Sequence, residues 1–337
     1  MFIESIRHPN RRRPVVTTMF IACIAALAPL AAGHAQNPAA YPDHPIRLIV
    51  PYTAGSIGDL FVRPVVQRLG EKLGQVVVVE NRPGASQAIG ASQAARATPD
   101  GYTLFMGTQS GLVLNSIAKK KLPYDAQRDF TPVSMLFEAP MYLFVNPSVS
   151  ARTVQELIAY ARANPGKLTF ASIGAGTSSH LAGEMLKTMA NIDILHVPYK
   201  GGPEATTALV AGQVDIMFNG GNVLAQLQRG SVRAIATGGL RRNDTLPTLP
   251  TLDESGLTGF DVSPWFALFT PKGVPQPIID RLNAEITVIL KDPSIREKAV
   301  ALGIEVATST PDELREKLKS DLPVWTHVMR TAGIEPE

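Results

Sequence analysis

Apolar runs of strand length alternate with amphipathic helical segments along most of this chain. The first pair joins the run 46–50, which is rich in β-branched residues, to a helical pattern over 59–74. Pro51 ends the run, because proline has no N–H to donate to a neighbouring strand. From about Thr153 the alternation becomes more regular. Strands that alternate with helices in this way predict parallel sheets made of β–α–β units.

The same patterns place the other elements. The further predicted strands are 76–80, 102–107, 140–146, 168–172, 194–197, 214–218, 232–237 and 265–270. The further predicted helices are 86–97, 153–163, 178–189, 203–211 and 222–228, with three more that begin near Pro275, Ser294 and Pro311. The region with Pro123, Asp125 and Pro132 is less regular. We expect strands 140–146 and 265–270 to cross between two α/β units and to leave a cleft between them.

Four loops rich in Gly, Ser and Thr follow strands and precede helices, at 52–59, 107–110, 172–180 and 198–202. In the first of them Gly55 and Gly58 flank Ser56 at the start of a helix. Unpaired N–H groups and the helix dipole favour an anion there, and a carboxylate would fit without Arg or Lys. The alternative is a plain turn between strand and helix, capped by Asp59.

The first 35 residues have the pattern of a secretory signal peptide. Arg7, Arg11, Arg12 and Arg13 precede an apolar stretch to Ala32, and small residues frame a cleavage site near Ala35. A membrane anchor needs roughly 20 uninterrupted apolar residues, and this stretch contains two Thr and a Pro. Cys23 lies in a poor lipoprotein motif. We therefore expect cleavage and release.

Removal of this segment changes the charge and the cysteine content. It takes away four Arg and one Glu and leaves 28 basic and 28 acidic residues, which argues against nucleic-acid binding. It also removes the only Cys, so no disulfide is expected. The four remaining His show no clustered ligand spacing, and we expect no metal and no cofactor.

A polar cluster near 180 could belong to a hydrolase active site. It consists of Ser178, Ser179, His180 and Glu184. A nucleophilic serine needs a strained turn and a base within reach, and the Gly-x-Ser-x-Gly pattern is absent. We therefore expect a polar cluster at a helix start or a ligand contact, and no catalysis.

Several short motifs, in order, resemble the Bug family of periplasmic receptors of tripartite tricarboxylate transporters. They are YPDHPIRLIVPY (41–52), ENRPGA (80–85), PDGYTL (99–104), LPYD (122–125), DFTP (129–132), GTSSHLAGE (176–184) and HVPYKG (196–201). Two departures stand out: Ser56 and Gly58 replace the family's usual Gly and hydroxyl residue, and Asn219 stands where the family often has Asp.

The resemblance implies an α/β fold, a type II-like Venus-flytrap of two lobes, each a mainly parallel sheet flanked by helices. It implies domain 1 at 41–138 and 258–337 and domain 2 at 139–257, after the signal peptide 1–35. A small carboxylate would be held in the cleft. The implied ligand-binding residues are Tyr52, Thr53, Ala54, Gly55, Ser56, Asp59, Thr108, Ser110, Ser172, Gly176, Thr177, Ser178, His180, Tyr199, Lys200 and Asn219.

The function implied is a periplasmic solute receptor, monomeric and not an enzyme, that hands a carboxylate to the membrane subunits of a tripartite tricarboxylate-type transporter. One alternative is a periplasmic enzyme that acts on a small carboxylate with the same scaffold. A second is the effector domain of a transcription regulator, which the signal peptide and the lack of a helix-turn-helix segment oppose.

Overall fold

A computed structural model describes residues 41–174 and 176–336 as two β-sheets with flanking helices. The predicted signal peptide lies outside these residues. The strands are β1 Ile46–Val50, β2 Val77–Asn81, β3 Thr103–Thr108, β4 Phe130–Glu138, β5 Tyr142–Val145, β6 Thr169–Ser172, β7 Leu195–Pro198, β8 Ile216–Asn219, β9 Arg233–Thr237, β10 Trp265–Pro271 and β11 Glu305–Val306. The helices are α1 Ile57–Leu73, α2 Ala88–Ala95, α3 Asn115–Ala118, α4 Val154–Ala163, α5 Ser178–Ala190, α6 Gly202–Val210, α7 Leu224–Gln228, α8 Gln276–Leu290, α9 Pro293–Leu302 and α10 Pro311–Thr331.

The first sheet has the order β11-β4-β10-β3-β1-β2, and the second has the order β7-β6-β8-β5-β9. Strands β1, β2 and β3 are parallel, as are β6, β7 and β8, which confirms the predicted β–α–β units. β5 and β10 run antiparallel to their neighbours. We call the first sheet with its helices lobe 1 and the second sheet with its helices lobe 2.

The chain crosses between the sheets twice, from β4 to β5 and from β9 to β10. Both crossings lie together, because Met141 N donates to Val262 O and Ala139 N donates to Pro264 O. The sheets and crossings fit the predicted two-unit fold. The exact residue limits of the two domains stay a prediction.

Three apolar clusters hold these layers. One lies under α1, α8 and α9 and includes Phe61 and Ile286. Another lies under α6 on the outer side of the second sheet. The largest spans both lobes, from Phe105 to Phe170, and includes Trp325 of α10. The C-terminal helix therefore packs on the core that the two lobes share.

Strand β4 was missed in the sequence because Pro132 interrupts it. β11 pairs only with the far end of β4, at Glu138 and Phe137. The N–H that Pro132 lacks is therefore not needed for a second ladder at that position.

Two predicted boundaries were wrong. Helix α1 begins at Ile57 with Ser56 as its cap, so Asp59 is not the capping residue. In the predicted loop 107–110, Gly107 and Thr108 still belong to β3, and Ser110 begins a π-helical turn, Ser110–Leu114, which runs directly into α3. Side-chain contacts of Thr108 and Tyr124 hold this turn, and such long-range contacts leave no periodic signal in the sequence.

Candidate functional site

The first predicted loop joins β1 to α1 at the edge of the first sheet. Thr53, Ala54 and Gly55 are exposed, and Gly55 has a left-handed backbone with φ of 81°. Ser56 Oγ accepts a hydrogen bond from Asp59 N at 3.3 Å and caps the helix. Among the described residues, the N–H groups of Thr53 and Ala54 have no protein acceptor. This loop therefore presents backbone donors beside the positive end of a helix dipole.

Asp59 supports this loop from below. Its carboxylate is buried and accepts from Gly55 N at 2.9 Å, from Asn81 Nδ2 at 2.9 Å and from Arg63 at 2.8 and 3.0 Å. Burial alone would raise the pKa of Asp59, but the hydrogen bonds from Arg63, Gly55 and Asn81 outweigh it and hold that pKa below its usual value. Four donors occupy the carboxylate, so the geometry makes Asp59 a support of the loop.

A second network joins the first loop to the end of β3. Gln87 Nε2 donates to Tyr52 Oη at 2.9 Å, and Thr108 Oγ1 donates to Gln87 Oε1. Gly111 N donates to Thr108 Oγ1 at 3.0 Å and so begins the π-helical turn. Burial raises the pKa of Tyr52 to about 12, which keeps its hydroxyl protonated at neutral pH.

In lobe 2 the loop after β6 leads into helix α5. Thr177 caps this helix: its Oγ1 donates to Gly174 O at 2.6 Å and accepts from His180 N at 3.5 Å. Ser179 Oγ accepts from Ile173 N at 3.0 Å. Hydroxyl groups thus hold this loop to the start of α5.

Two stacked imidazoles lie behind this loop. The rings of His180 and His196 have centroids 3.9 Å apart. His180 Nδ1 accepts from Gly176 N at 3.1 Å, and His196 Nε2 lies 2.6 Å from Ser172 Oγ. Burial lowers the pKa of each imidazole to about 4. The charge of Lys187 lowers both pKa values further, and the His180 ring lowers that of His196. Both rings are therefore neutral at neutral pH, and His180 carries its proton on Nε2.

The two loop systems meet across the cleft. Ser110 Oγ, in the π-helical turn of lobe 1, lies 3.5 Å from Ser178 Oγ at the start of α5. The structure thus brings Ser110 of the second loop next to Ser178 of the third, and Gln87 links Tyr52 of the first loop to Thr108 at the second.

The other predicted residues are placed less directly. Tyr199 is half-buried and its N–H donates to Ser172 O at 3.0 Å, whereas Lys200 is exposed. Asn219 is buried at the end of β8, where its Oδ1 accepts from Gly220 N at 2.8 Å. No partner for Asn219 Nδ2 is found in the described part of the chain.

Four residues of these networks were missed: Arg63, Asn81, Gln87 and His196. Arg63 lies four residues after Asp59, a spacing that permits an ion pair on one helix face. Nothing local in the sequence indicates the contacts of Gln87 and His196, because each joins loops that follow different strands.

The described residues contain no group of three or more Asp, Glu, His or Cys side chains placed to hold a metal ion. Within the same residues, no helix combines the length and the apolar character that a membrane crossing requires.

Comparison with known proteins gives the family. Residues 61–334 match the model of the tripartite tricarboxylate transporter family receptor. The chain is 39% identical over 309 residues to a UPF0065 protein from the tcbD-tcbE intergenic region of Pseudomonas sp. strain P51, covering 90% of this chain and 91% of that one. It is 35% identical over 320 residues to protein BugT of Bordetella pertussis, covering 94% and 96%.

Solved structures of similar proteins support the same family. An R. palustris protein with adipate shares 32% identity and a TM-score of 0.77, covering 88% of this chain and 100% of that one. The periplasmic binding protein BugD shares 35% identity and a TM-score of 0.72, covering 88% and 100%. MatC of Rhodopseudomonas palustris, with bound malate, shares 31% identity and a TM-score of 0.70, covering 86% and 99%. These neighbours are binding proteins, and with the two sheets, the paired crossings and the facing loops they show that this chain is a two-lobed α/β protein that belongs to the Bug family of tripartite tricarboxylate transporter receptors.

Proposed function

We propose that this chain is a periplasmic receptor that captures a small carboxylate between its lobes and delivers it to the membrane subunits of a tripartite tricarboxylate-type transporter. The observation that carries the proposal is the approach of two helix-start loops from opposite lobes, at Ser110 Oγ and Ser178 Oγ, 3.5 Å apart. Adipate and malate in related structures support this class of ligand.

The chemistry of the loops fits a carboxylate. Thr53 and Ala54 offer N–H groups at the start of α1, and Tyr52 offers a protonated phenol. The one acidic side chain of the first loop, Asp59, is paired with Arg63 at 2.8 Å, so its charge is compensated. Neutral donors and a helix dipole can therefore bind an anion without a cationic side chain.

The second end of the ligand would lie at lobe 2. There Ser178 at the start of α5 lies 3.5 Å from Ser110 of lobe 1. Tyr199, Lys200 and Asn219 stand at or just after the ends of neighbouring strands at the same sheet edge. A ligand with an acceptor at each end would contact both lobes and select the closed form. The predicted site residues belong to this proposal, with Asp59 and His180 supporting the loops.

Titration calorimetry with malate, adipate and a monocarboxylate tests the binding, together with native mass spectrometry for a ligand retained on purification. We expect one dicarboxylate or more to bind with a 1:1 stoichiometry to a monomer. Chemical change of the carboxylate on incubation would favour the enzyme alternative.

N-terminal sequencing of protein from the periplasmic fraction tests cleavage near Ala35, and an intact leader would contradict it.

A further inference from the structure

A segment of unusual backbone lies directly before α2. Ala85, Ser86 and Gln87 have φ of 47°, 51° and 76°, which residues with a side chain rarely adopt. Three such residues in a row are unfavourable and persist only where the surroundings hold them. Strain of this kind is concentrated at functional sites, so the contacts that hold the segment are of interest.

The segment is fixed by α3 and by the π-helical turn. Asn115 Nδ2 donates to Ser86 O at 2.7 Å and lies 3.3 Å from Tyr124 Oη. Tyr124 in turn donates to Gly111 O. A Cβ on Gly111 would lie 2.9 Å from Gln87 Oε1, so the turn and the Gln87 side chain are in close contact. The strained backbone and these contacts thus fix the position of the Gln87 side chain.

That side chain bridges the two donor loops of lobe 1. The amide of Gln87 donates to Tyr52 Oη at 2.9 Å and accepts from Thr108 Oγ1. An amide donates through its nitrogen and accepts through its oxygen, whereas an ionised carboxylate can only accept. Asn has the same amide but is one methylene shorter.

We infer that Gln87 is a positioning residue of the carboxylate site, which acts by setting the direction of the Tyr52 hydroxyl proton. The inference rests on the proposed function. The Gln87 N–H occupies a lone pair of the phenol oxygen. Thr108 Oγ1, the other polar group beside the phenol, already donates to Gln87 Oε1 and accepts from Gly111 N. The proton of Tyr52 is therefore left to be donated to an acceptor on the ligand. Gln87 therefore makes the first loop select a ligand acceptor such as a carboxylate oxygen over a ligand donor.

The test is a set of variants titrated with the dicarboxylate, malate or adipate, that the unmodified protein binds. Gln87→Met keeps the length and the backbone demand but removes both hydrogen bonds, and we expect about fivefold weaker binding. Gln67→Met, on the exposed face of α1, is the matched control and should stay within about twofold.

Tyr52→Phe completes a double-mutant cycle. If Gln87 acts through the Tyr52 hydroxyl, Gln87→Met should change affinity less than about twofold in the Tyr52→Phe background. Equal losses in both backgrounds, or no loss from Gln87→Met alone, would overturn the inference and leave the proposed function intact. If the unmodified protein binds none of the carboxylates, the proposed function fails and the inference fails with it.

Discussion

The two lobes present a helix start to the cleft with different supporting chemistry. In lobe 1 the loop is held by the buried, charged carboxylate of Asp59, which pairs with the guanidinium of Arg63 and accepts from the amide of Asn81. In lobe 2 the loop is held by neutral groups: the hydroxyl of Thr177 and the imidazole of His180.

The difference teaches that a donor-rich loop can be held in place in two ways. The carboxylate of Asp59 is buried while the Arg63 side chain is exposed, and a buried carboxylate is costly to leave without its donors. A neutral network costs less to break, but an acid can disrupt it when it contains imidazole acceptors. The two lobes should therefore respond differently to truncation, to pH and to the loss of single caps.

The largest effect is expected from Asp59→Ala in lobe 1. It removes the acceptor of both Gly55 N and Asn81 Nδ2, so the free energy of unfolding should fall by about 2–3 kcal/mol. Dicarboxylate affinity should fall more than tenfold, as measured by calorimetry.

Asp215→Ala in lobe 2 is the control for Asp59→Ala. Its carboxylate accepts from Thr169 N and Thr169 Oγ1, both at 2.8 Å, at the other end of β6 from Ser172. We expect lower stability with unchanged affinity. Normal binding by Asp59→Ala would show that the charged support is dispensable.

Lowering the pH should reduce the stability of the protein through His180 in lobe 2. The pKa of His180 is lowered to about 4 in the folded protein, and the ordinary His value is about 6.5. The unfolded chain therefore takes up the proton first, so stability falls as pH decreases from about 6.5 towards 4. Protonation of Nδ1 would also set two donors, Nδ1–H and the N–H of Gly176, against each other.

His180→Asn keeps an acceptor near the Nδ1 position and removes the titration. Across this pH window we expect it to lose about 1–2 kcal/mol less stability than the unmodified protein, measured by denaturation at each pH. Glu305, whose pKa burial and Glu138 raise to about 7, titrates with the opposite effect in the same window. His196, whose pKa is also lowered to about 4 by burial and by His180, titrates with the same effect as His180. The difference between the two proteins therefore reports His180 together with its influence on His196, and parallel curves would rule out its role.

Two helix caps in lobe 2 allow an effect on stability to be distinguished from an effect on ligand affinity. Thr177 caps α5 at the cleft, whereas Thr153 caps α4 away from it and accepts from Glu156 N at 3.2 Å. Thr177→Ala and Thr153→Ala should each cost about 1 kcal/mol. Only Thr177→Ala should weaken binding, and equal affinities would remove the lobe 2 loop from the site.

Ser56→Gly should give the smallest effect. Glycine is nearly as good a cap as serine, so stability should change by only a few tenths of a kcal/mol. Affinity should fall no more than about threefold, because Ser56 Oγ already serves Asp59 N. A tenfold loss would make Ser56 a main ligand contact.

Much of the fold could be predicted because local patterns determine it. The run Ile46–Val50 is buried at four of five positions and pairs with β2 and β3. The helix cap of α4 at Thr153 and the crossing strand β10 are likewise confirmed. In each case a few neighbouring residues carry the information.

The long-range contacts that support the site could not be predicted in this way. Gln87 contacts Tyr52, 35 positions away, and Thr108, 21 positions away. His196 contacts Ser172, 24 positions away. Such pairs depend on which strands become neighbours, and no periodicity records that. The donor loops could thus be located from composition, whereas the long-range contacts of Gln87 and His196 could not.

The position of β10 has a consequence for the order in which the protein can fold. β10 lies between β3 and β4, so the first sheet is incomplete until the segment Trp265–Pro271 is available. The second sheet has all its strands once β9 ends at Thr237. During synthesis or export from the N-terminus, the lobe that starts first is therefore the lobe that can finish last. Until then β3 has a free edge, and shielding that edge is a task for whatever holds the chain during export.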